Sequence, residues 1–523
     1  MKNGEALNRE MGEGMESCWN GAWRVIDDYA ANVLDDFQRM AAVGGRHLVP
    51  VVIGLPSDNV TPVAVYQSVR RATTPTVFLE SVPQGQHLGD YTIVGCRMSA
   101  RFTVRGERSA LKPRLGRVEI AEGMALEHLE AFLQSTTPLQ QPGRAPFLGG
   151  AIGYVGFEGV CLIEPTVSRH SVNKLDWPEI DLVAFDEVIV FDHARQLVYL
   201  VALAEFNGSE NVAAAHRDAY ERAGRLIRHL QKPIEPLTKL TGVDGKISSN
   251  MTRDVYERMI ETGKRYITSG DVFQIVLSQR FSVGFSGDSF DFYRHLRRMN
   301  PSPYMFHLEL SDGRVLTGAS PEVMVKVSGD VVHIRPIAGT RRRSIDAVED
   351  ERLRQELAAD PKERAEHSML VDLARNDVGR VTVTGSVVVS GVMRVEKYST
   401  VQHLVSDVSG RLHEAITPFR AFLTCLPAGT LSGAPKIRAC QLLVELEPCA
   451  RGPYGGAVGW FTSYGLDTGI AIRTAWVDSG TMYWQAGGGV VADSTPAGEY
   501  EESLTKARSI GNVLKHATGG TGR

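Results

Sequence analysis

Apolar positions along the chain fall into two rhythms. Short runs of β-branched and aromatic residues, bounded by Gly, Pro or Asp, predict strands over residues 49–53, 76–79, 91–94, 101–104 and 180–191. Residues 188–191 and 197–201 flank 192–196 in the manner of a hairpin. Ahead of these runs, Trp23, Val25, Ile26, Tyr29, Phe37 and Met40 recur with helical spacing until Gly44-Gly45, so 1–45 reads as a helical extension. An Ala- and Arg-rich helical pattern over 210–231 closes a first region, 46–231. Residues 232–250 hold two prolines with Gly, Ser and Asn and predict a linker or exposed loop.

From 251 to 515 the rhythms alternate irregularly. Helices are expected over 251–269, 290–299 and 347–374, the last broken near Asp360-Pro361. Strands are expected over 272–281, 307–310, 315–317, 323–327, 331–334 and 381–389, and 516–523 reads as a disordered tail. The order lacks the strict strand–helix–strand rhythm of a parallel sheet, and no repeat of 20–50 residues is present. The predicted fold class is α+β, with antiparallel sheets covered by helices.

Composition narrows the functional classes. The 523 residues are 43% hydrophobic and 23% charged, as in a globular protein with a sizeable core. Lys and Arg number 57 against 61 Asp and Glu, with no block of one sign, which argues against nucleic acid as a partner. No apolar stretch approaches the roughly 20 residues of a membrane span, and the acidic N-terminus lacks the apolar core of a signal peptide. Six cysteines form neither C-x-x-C pairs nor zinc-spaced clusters, so reduced thiols in a cytoplasmic protein are expected. There is no Walker A loop, no G-x-S-x-G elbow, no H-E-x-x-H helix and no cysteine-centred glutaminase motif.

Several clusters carry candidate chemistry. Met369, Leu370 and Leu373 share a helix face toward which Glu366 is drawn; the carboxylate there either meets a cation or reaches solvent at the boundary. Glu499, Glu502 and Lys506 share another face, suited to a hard cation such as Mg²⁺ or to a plain solvated ion-pair row. Gly487, Gly488 and Gly489 interrupt a strand, as a bulge does or as a closely approaching ligand or backbone requires. Arg473 stands alone in an apolar run, and a buried Arg needs an anion. Residues 336–341 form a turn whose N–H groups could hold a carboxylate or simply turn the chain, and His403 in an apolar strand is as a rule a core histidine.

Together these segments resemble the chorismate-utilising enzymes, and within them the component I chains of anthranilate synthases. The resemblance runs from about His47 to Val513 and rests on Phe78-Leu79-Glu80-Ser81, Gly149-Gly150-Ala151-Ile152-Gly153-Tyr154, Asp271-Val272-Phe273-Gln274, Asn300-Pro301-Ser302-Pro303-Tyr304-Met305, Ala319-Ser320-Pro321-Glu322, Pro336-Ile337-Ala338-Gly339-Thr340 and Pro427-Ala428-Gly429-Thr430, in family order. It implies a two-sheet antiparallel sandwich with helices outside. It also implies Mg²⁺-dependent amination of chorismate at C2 followed by pyruvate elimination to anthranilate, the first step of tryptophan biosynthesis. A separate glutamine amidotransferase subunit would supply the ammonia, making a hetero-oligomer.

By the same resemblance, Glu366 and Glu502 would hold Mg²⁺, with Glu499 acting through water. Arg473, Tyr454, Lys506 and the backbone at Gly339, Thr340, Gly487, Gly488 and Gly489 would hold the substrate carboxylates, and Thr430 would touch the substrate. Glu322 would be the general acid, its pKa raised by burial, and His403 would serve the elimination. Water-using relatives typically carry Lys where this chain has Gln274, and aminodeoxychorismate synthases carry a nucleophilic Lys where it has Ala338. The nearest alternative is an aminodeoxychorismate or aminodeoxyisochorismate synthase that keeps the pyruvyl group. Ser81, Pro303, Tyr304 and Met305 match an allosteric tryptophan pocket. Arg341-Arg342-Arg343-Ser344 and Phe157-Glu158 depart from the usual family pattern.

Overall fold

Two long strands, Tyr91–Arg105 and Ile180–Asp192, organise the computed structural model, which describes residues 45–70, 74–81, 91–140, 147–172, 175–207, 212–232, 242–310, 312–398 and 401–518. The expected helical extension, apart from Gly45, and residues 519–523 lie outside the described residues. The two strands pair along nearly their whole length, with register slips between Gly95 and Ala100. At that level both change partners. Residues 187–192 pair with Leu197–Asn207 and 180–185 with Gly150–Val155; on the other strand, 92–95 pair with Thr76–Glu80 and 100–105 with Arg108–Pro113. Irregularities of this kind let one strand serve two sheets.

The first sheet runs from Arg46–Pro56 through Leu197–Asn207, the shared pair, Thr76–Glu80, Tyr304–Glu309, Val315–Ser320, Thr474–Asp478 and Thr481–Val490 to Gln274–Ser286. The second continues from Gly150–Val155 through Ala457–Phe461, Leu466–Ile470, Val323–Ser328 and Val331–Ile334 to Val401–Arg411, which is also flanked by Ile337–Arg342 and Val388–Lys397. Every ladder is antiparallel. Strand alternation divides the core: Val52, Val190 and Leu308 face Ile152, Leu182 and Val325 between the sheets. Val51, Ile53 and Ile189 point the other way, into a second core with residues of the helices Val212–Gln231 and Ser289–Met299.

The expected α+β class and most elements hold, with four differences. Residues 91–94 and 101–104 are one continuous strand. Within 232–250, Gly242–Ser249 is an edge strand on Gln274–Ser286; its polar, glycine-bearing sequence carries no strand pattern of its own, and pairing imposes the conformation. The strand expected over 381–389 begins only at Val388, because the chain turns first, with Ser386 N donating to Val383 O at 3.0 Å. The tail expected from 516 is helical through Ala517.

Two helices carry the acids singled out in the sequence. Pro361–Gly379 starts where predicted, with Asp360 Oδ1 accepting from Lys362 N and Glu363 N at 2.9 and 3.2 Å and Pro361 opening the first turn. Pro496–Ala517 starts in the same way behind Thr495, whose Oγ1 accepts from Gly498 N at 3.2 Å. Among the described residues no helix is long and apolar enough to cross a membrane.

Candidate active site

Glu322 occupies the step between two strands, its carbonyl accepting from Ile470 N at 2.9 Å. Thr430, in the short turn Gly429–Leu431, donates its hydroxyl to Glu322 Oε1 at 3.1 Å. Burial pushes the Glu322 carboxyl up to about 8, against the weaker pull of the Thr430 hydrogen bond and the Arg473 charge. The carboxyl is therefore mostly protonated at neutral pH. Arg473, expected inside an apolar run, breaks the strand pattern at a φ of 48°; its side chain keeps access to solvent, yet surrounding protein lowers its pKa, with the Glu322 charge opposing. No carboxylate among the described residues reaches ion-pairing distance of it. Its charge is felt at both Glu322 and His403, so the cation lies near the acid and the histidine alike.

His403 lies on the central strand Val401–Arg411, opposite Thr340. Its Nδ1 is 2.8 Å from Gly339 O and 3.1 Å from Thr340 Oγ1. A carbonyl can only accept, so Nδ1 carries the proton and Nε2 keeps its lone pair. Burial lowers the His403 pKa, with the Gly339 bond opposing. The residues expected as a turn at 336–341 are mostly a strand, Ile337–Arg342, with a register break around Gly339 at φ 67°. A Cβ on Gly339 would stand 3.0 Å from Glu363 Oε2, one helical turn before Glu366, so this strand abuts the acidic helix.

The acids gather on the other wall. Glu499 is 9% exposed, and its Oε2 is buried with no hydrogen-bond partner. Burial raises its pKa and the charge of Glu502 raises it further, while Lys506 and Lys362 pull it down. Burial likewise raises Glu366, reinforced by Glu363 and Glu502 and relieved by Lys362 and Lys506. Lys506 Nζ sits 2.8 Å from Glu502 Oε1 and donates to Gly487 O at 3.0 Å. Among the described residues no group of three or more His, Cys, Asp or Glu side chains forms a metal cage by itself.

The three glycines are explained by close approach, since the ladder from Ile275–Val490 to Gly284–Thr481 runs without a bulge. A Cβ at Gly487 would stand 2.1 Å from Leu277 O, at Gly488 2.6 Å from Glu499 Oε2, and at Gly489 2.3 Å from Gln274 Nε2. Gln274 is itself buried.

Residues 74–512 match the model of the chorismate binding enzyme family. The chain belongs to the chorismate binding enzymes. It is 40% identical over 501 residues to the anthranilate synthase component 1 of Synechocystis sp., covering 92% of this chain and 98% of the relative. It is 41% identical over 488 residues to that of Pseudomonas aeruginosa, covering 91% and 97%. The crystal structure of anthranilate synthase component I from Streptococcus pneumoniae superposes with a TM-score of 0.71 at 34% identity, covering 82% of this chain and 95% of that one. The menaquinone-specific isochorismate synthase of Escherichia coli, 20% identical, shares the fold at a TM-score of 0.68 over 92% of this chain and 99% of that one.

In this chorismate binding enzyme, Tyr454 is 4% exposed, and burial pushes its hydroxyl up to about 12. The Arg451 guanidinium lies 5.6 Å from the Tyr454 ring centroid and ties three site-bearing segments together. It donates to Leu431 O at 2.6 Å and Val276 O at 2.7 Å and pairs with Glu447 at 2.6 Å. Sequence reasoning passed over this pair, although its i,i+4 spacing was visible. The departing Glu158 accepts from Arg451 N and Gly452 N at 2.7 and 3.0 Å. Arg343, in the other unusual stretch, is held by Asp350 at 2.8 Å.

Ser81, Pro303, Tyr304 and Met305 come together elsewhere. They line a cavity of about 570 Å³ with Trp460 and Asp467, separate from the acidic wall. Tyr304 donates its hydroxyl to Asp467 Oδ1 at 2.8 Å. Glu80, beside Ser81, is held by Arg297 at 2.5 Å and by the Tyr293 hydroxyl at 3.1 Å.

Proposed function

We propose that the chain is component I of an anthranilate synthase, converting chorismate and ammonia to anthranilate and pyruvate. The observation that carries the reading is a carboxyl protonated near neutrality, Glu322, and a histidine whose pKa burial lowers, His403, both within the field of Arg473, with Gln and Ala rather than Lys at 274 and 338. The relatives' names and near-complete mutual coverage support it.

Arg473 would receive one substrate carboxylate, with Tyr454 and Thr430 as further substrate contacts. The other carboxylate belongs on the acidic wall, among Lys506 and the backbone of Gly339, Thr340, Gly487, Gly488 and Gly489. The unpartnered Glu499 Oε2 and the mutually repelling Glu366, Glu499 and Glu502 fit a divalent cation completed by substrate oxygens. Glu366 and Glu502 would hold Mg²⁺, with Glu499 acting through water. When bound, the ion withdraws charge from the ring carboxylate.

Glu322 donates its proton to the C4 hydroxyl, which departs as water while ammonia bonds to C2, and the new C2 ammonium sheds one proton to solvent. Gln274 is neutral, and ammonia needs no base to become a nucleophile. His403 Nε2 then takes the C2 proton as the C3–O bond breaks, leaving an aromatic ring and enolpyruvate, which becomes pyruvate. Burial pushes the Cys425 and Cys440 thiols up, the opposite of what glutamine hydrolysis asks of a nucleophile. A glutamine amidotransferase subunit would supply the ammonia, in the cytoplasm. The 570 Å³ cavity takes tryptophan as feedback inhibitor.

The test is the purified chain with chorismate, Mg²⁺ and ammonium at alkaline pH, with and without EDTA. Metal-dependent anthranilate plus pyruvate is the expected result. An aminated product that keeps its pyruvyl group would move the chain to the aminodeoxychorismate or aminodeoxyisochorismate synthases.

A further inference from the structure

Among the described residues, the hydrogen bonds of His403 are those at Nδ1, on one edge of the ring. Its ring is met by Tyr398, with centroids 5.4 Å apart and planes at 63°. Tyr398 is pinned at every polar atom. Its hydroxyl donates to Glu396 Oε2 at 3.1 Å, its N–H donates to Val401 O at 2.8 Å, and its carbonyl accepts from Arg343 Nη1 at 2.6 Å. Glu396 is in turn clamped by Arg394 at 2.8 Å and by Arg335. Core filling alone does not account for this arrangement. Tyr398 is 7% exposed but is not sealed in, because it also lines the 570 Å³ cavity together with Ser81, Pro303, Tyr304 and Met305. An aliphatic side chain could fill this space as well, but only an aromatic edge constrains the orientation of a second ring.

We propose that Tyr398 is a positioning residue for the elimination half of the reaction, holding the His403 imidazole so that Nε2 meets the C2 proton. This rests on the anthranilate synthase reading. In that step the C2–H bond gives its proton to Nε2, and its electron pair forms the ring double bond as the C3–O bond breaks and enolpyruvate leaves. No oxidant or reductant is required. The amination step depends on Glu322 and does not pass through His403, so loss of Tyr398 should separate the two halves.

The experiment compares Tyr398→Met and Tyr398→Phe with the unaltered full chain, using chorismate, Mg²⁺ and ammonium. It measures the ratio of anthranilate to released aminated, pyruvyl-bearing product, a ratio independent of total rate. The Met variant should lower this ratio at least tenfold, while the Phe variant, which keeps the ring, stays within about twofold. Tyr398→Leu serves the same purpose if the Met protein does not fold. An unchanged ratio in a folded variant without the ring, at whatever rate, overturns the proposal by showing that Tyr398 only packs. A Phe variant that fails as badly as Met also overturns it, because the ring would then not be what positions His403. If the unaltered chain makes pyruvyl-bearing product alone, the anthranilate reading falls, and this proposal with it.

Discussion

Replacing Glu322 by Gln tests the acid directly. The carboxyl of an unfolded chain loses its proton near 4.5, while that of folded Glu322 loses it near 8. The folded state thus binds the proton more tightly, and the stability this adds is complete below pH 4.5 and disappears as pH rises to about 8. At 1.36 kcal/mol for each pH unit, the interval from 4.5 to about 8 amounts to about 5 kcal/mol. Glu322→Gln has no proton to lose. Its stability relative to the unaltered chain should therefore climb by up to that amount across the interval. Thermal unfolding of both proteins from pH 5 to 9 reads the difference. Ammonia-dependent turnover, expressed per free ammonia, should fall above pH 8 in the unaltered chain and be about 10²–10⁴-fold lower in the variant at neutral pH. Parallel melting profiles over the whole range would falsify the assignment, because they would mean that Glu322 is already ionised in the folded protein and has no proton to give.

The same geometry sets further outcomes. Gly488→Ala places a methyl 2.6 Å from a carboxylate oxygen that can shift, so it should fold but lose activity, whereas Gly487→Ala meets backbone at 2.1 Å and should lower the melting temperature; equal effects of the two would contradict the close-approach account. Glu499→Gln should abolish the rise in melting temperature on adding Mg²⁺ with chorismate, and a retained rise would remove Glu499 from the cation site. Tryptophan at about a hundredfold above its Kd should stabilise the chain by about 2.7 kcal/mol, and Tyr304→Ala should erase that shift; a chain indifferent to tryptophan would leave the cavity without its ligand. Because burial lowers His403, anthranilate formation should persist below the ordinary histidine pKa of 6.5, and more acidic conditions should release aminated product.

The parts of the fold legible in sequence were those whose side chains decide the conformation locally. The apolar runs at 49–53 and 180–191 are strands, and Asp360-Pro361 breaks two helices where predicted, because a cap and an N1 proline act within one turn. Gly242–Ser249 was illegible because its strand conformation comes from Gln274–Ser286 and not from its own residues. Arg473 misled for a related reason: its apolar neighbours suggest a sealed core position, but its own left-handed backbone interrupts the strand and leaves the side chain accessible to solvent. For the site, motifs located Glu322, His403 and the paired acids. Only the folded chain shows Thr430 on Glu322, Tyr398 against His403 and Arg451 binding Leu431 to Val276. Such contacts leave no spacing to read.

Thr76–Glu80 sits between Tyr91–Arg105 on one side and Tyr304–Glu309 on the other, with Val77 beside both Gly95 and Leu308. Chain emerging from a ribosome would present this strand with one hydrogen-bonding edge bare until more than two hundred further residues were made. The next strands outward, Val315–Ser320 and Thr474–Asp478, postpone closure almost to the C-terminus. Cutting the chain in the polar stretch before Gly242 would therefore not release two modules. Each fragment would carry an open edge of β-structure, and production of either half alone should end in aggregates rather than in a soluble tryptophan-binding or chorismate-binding domain.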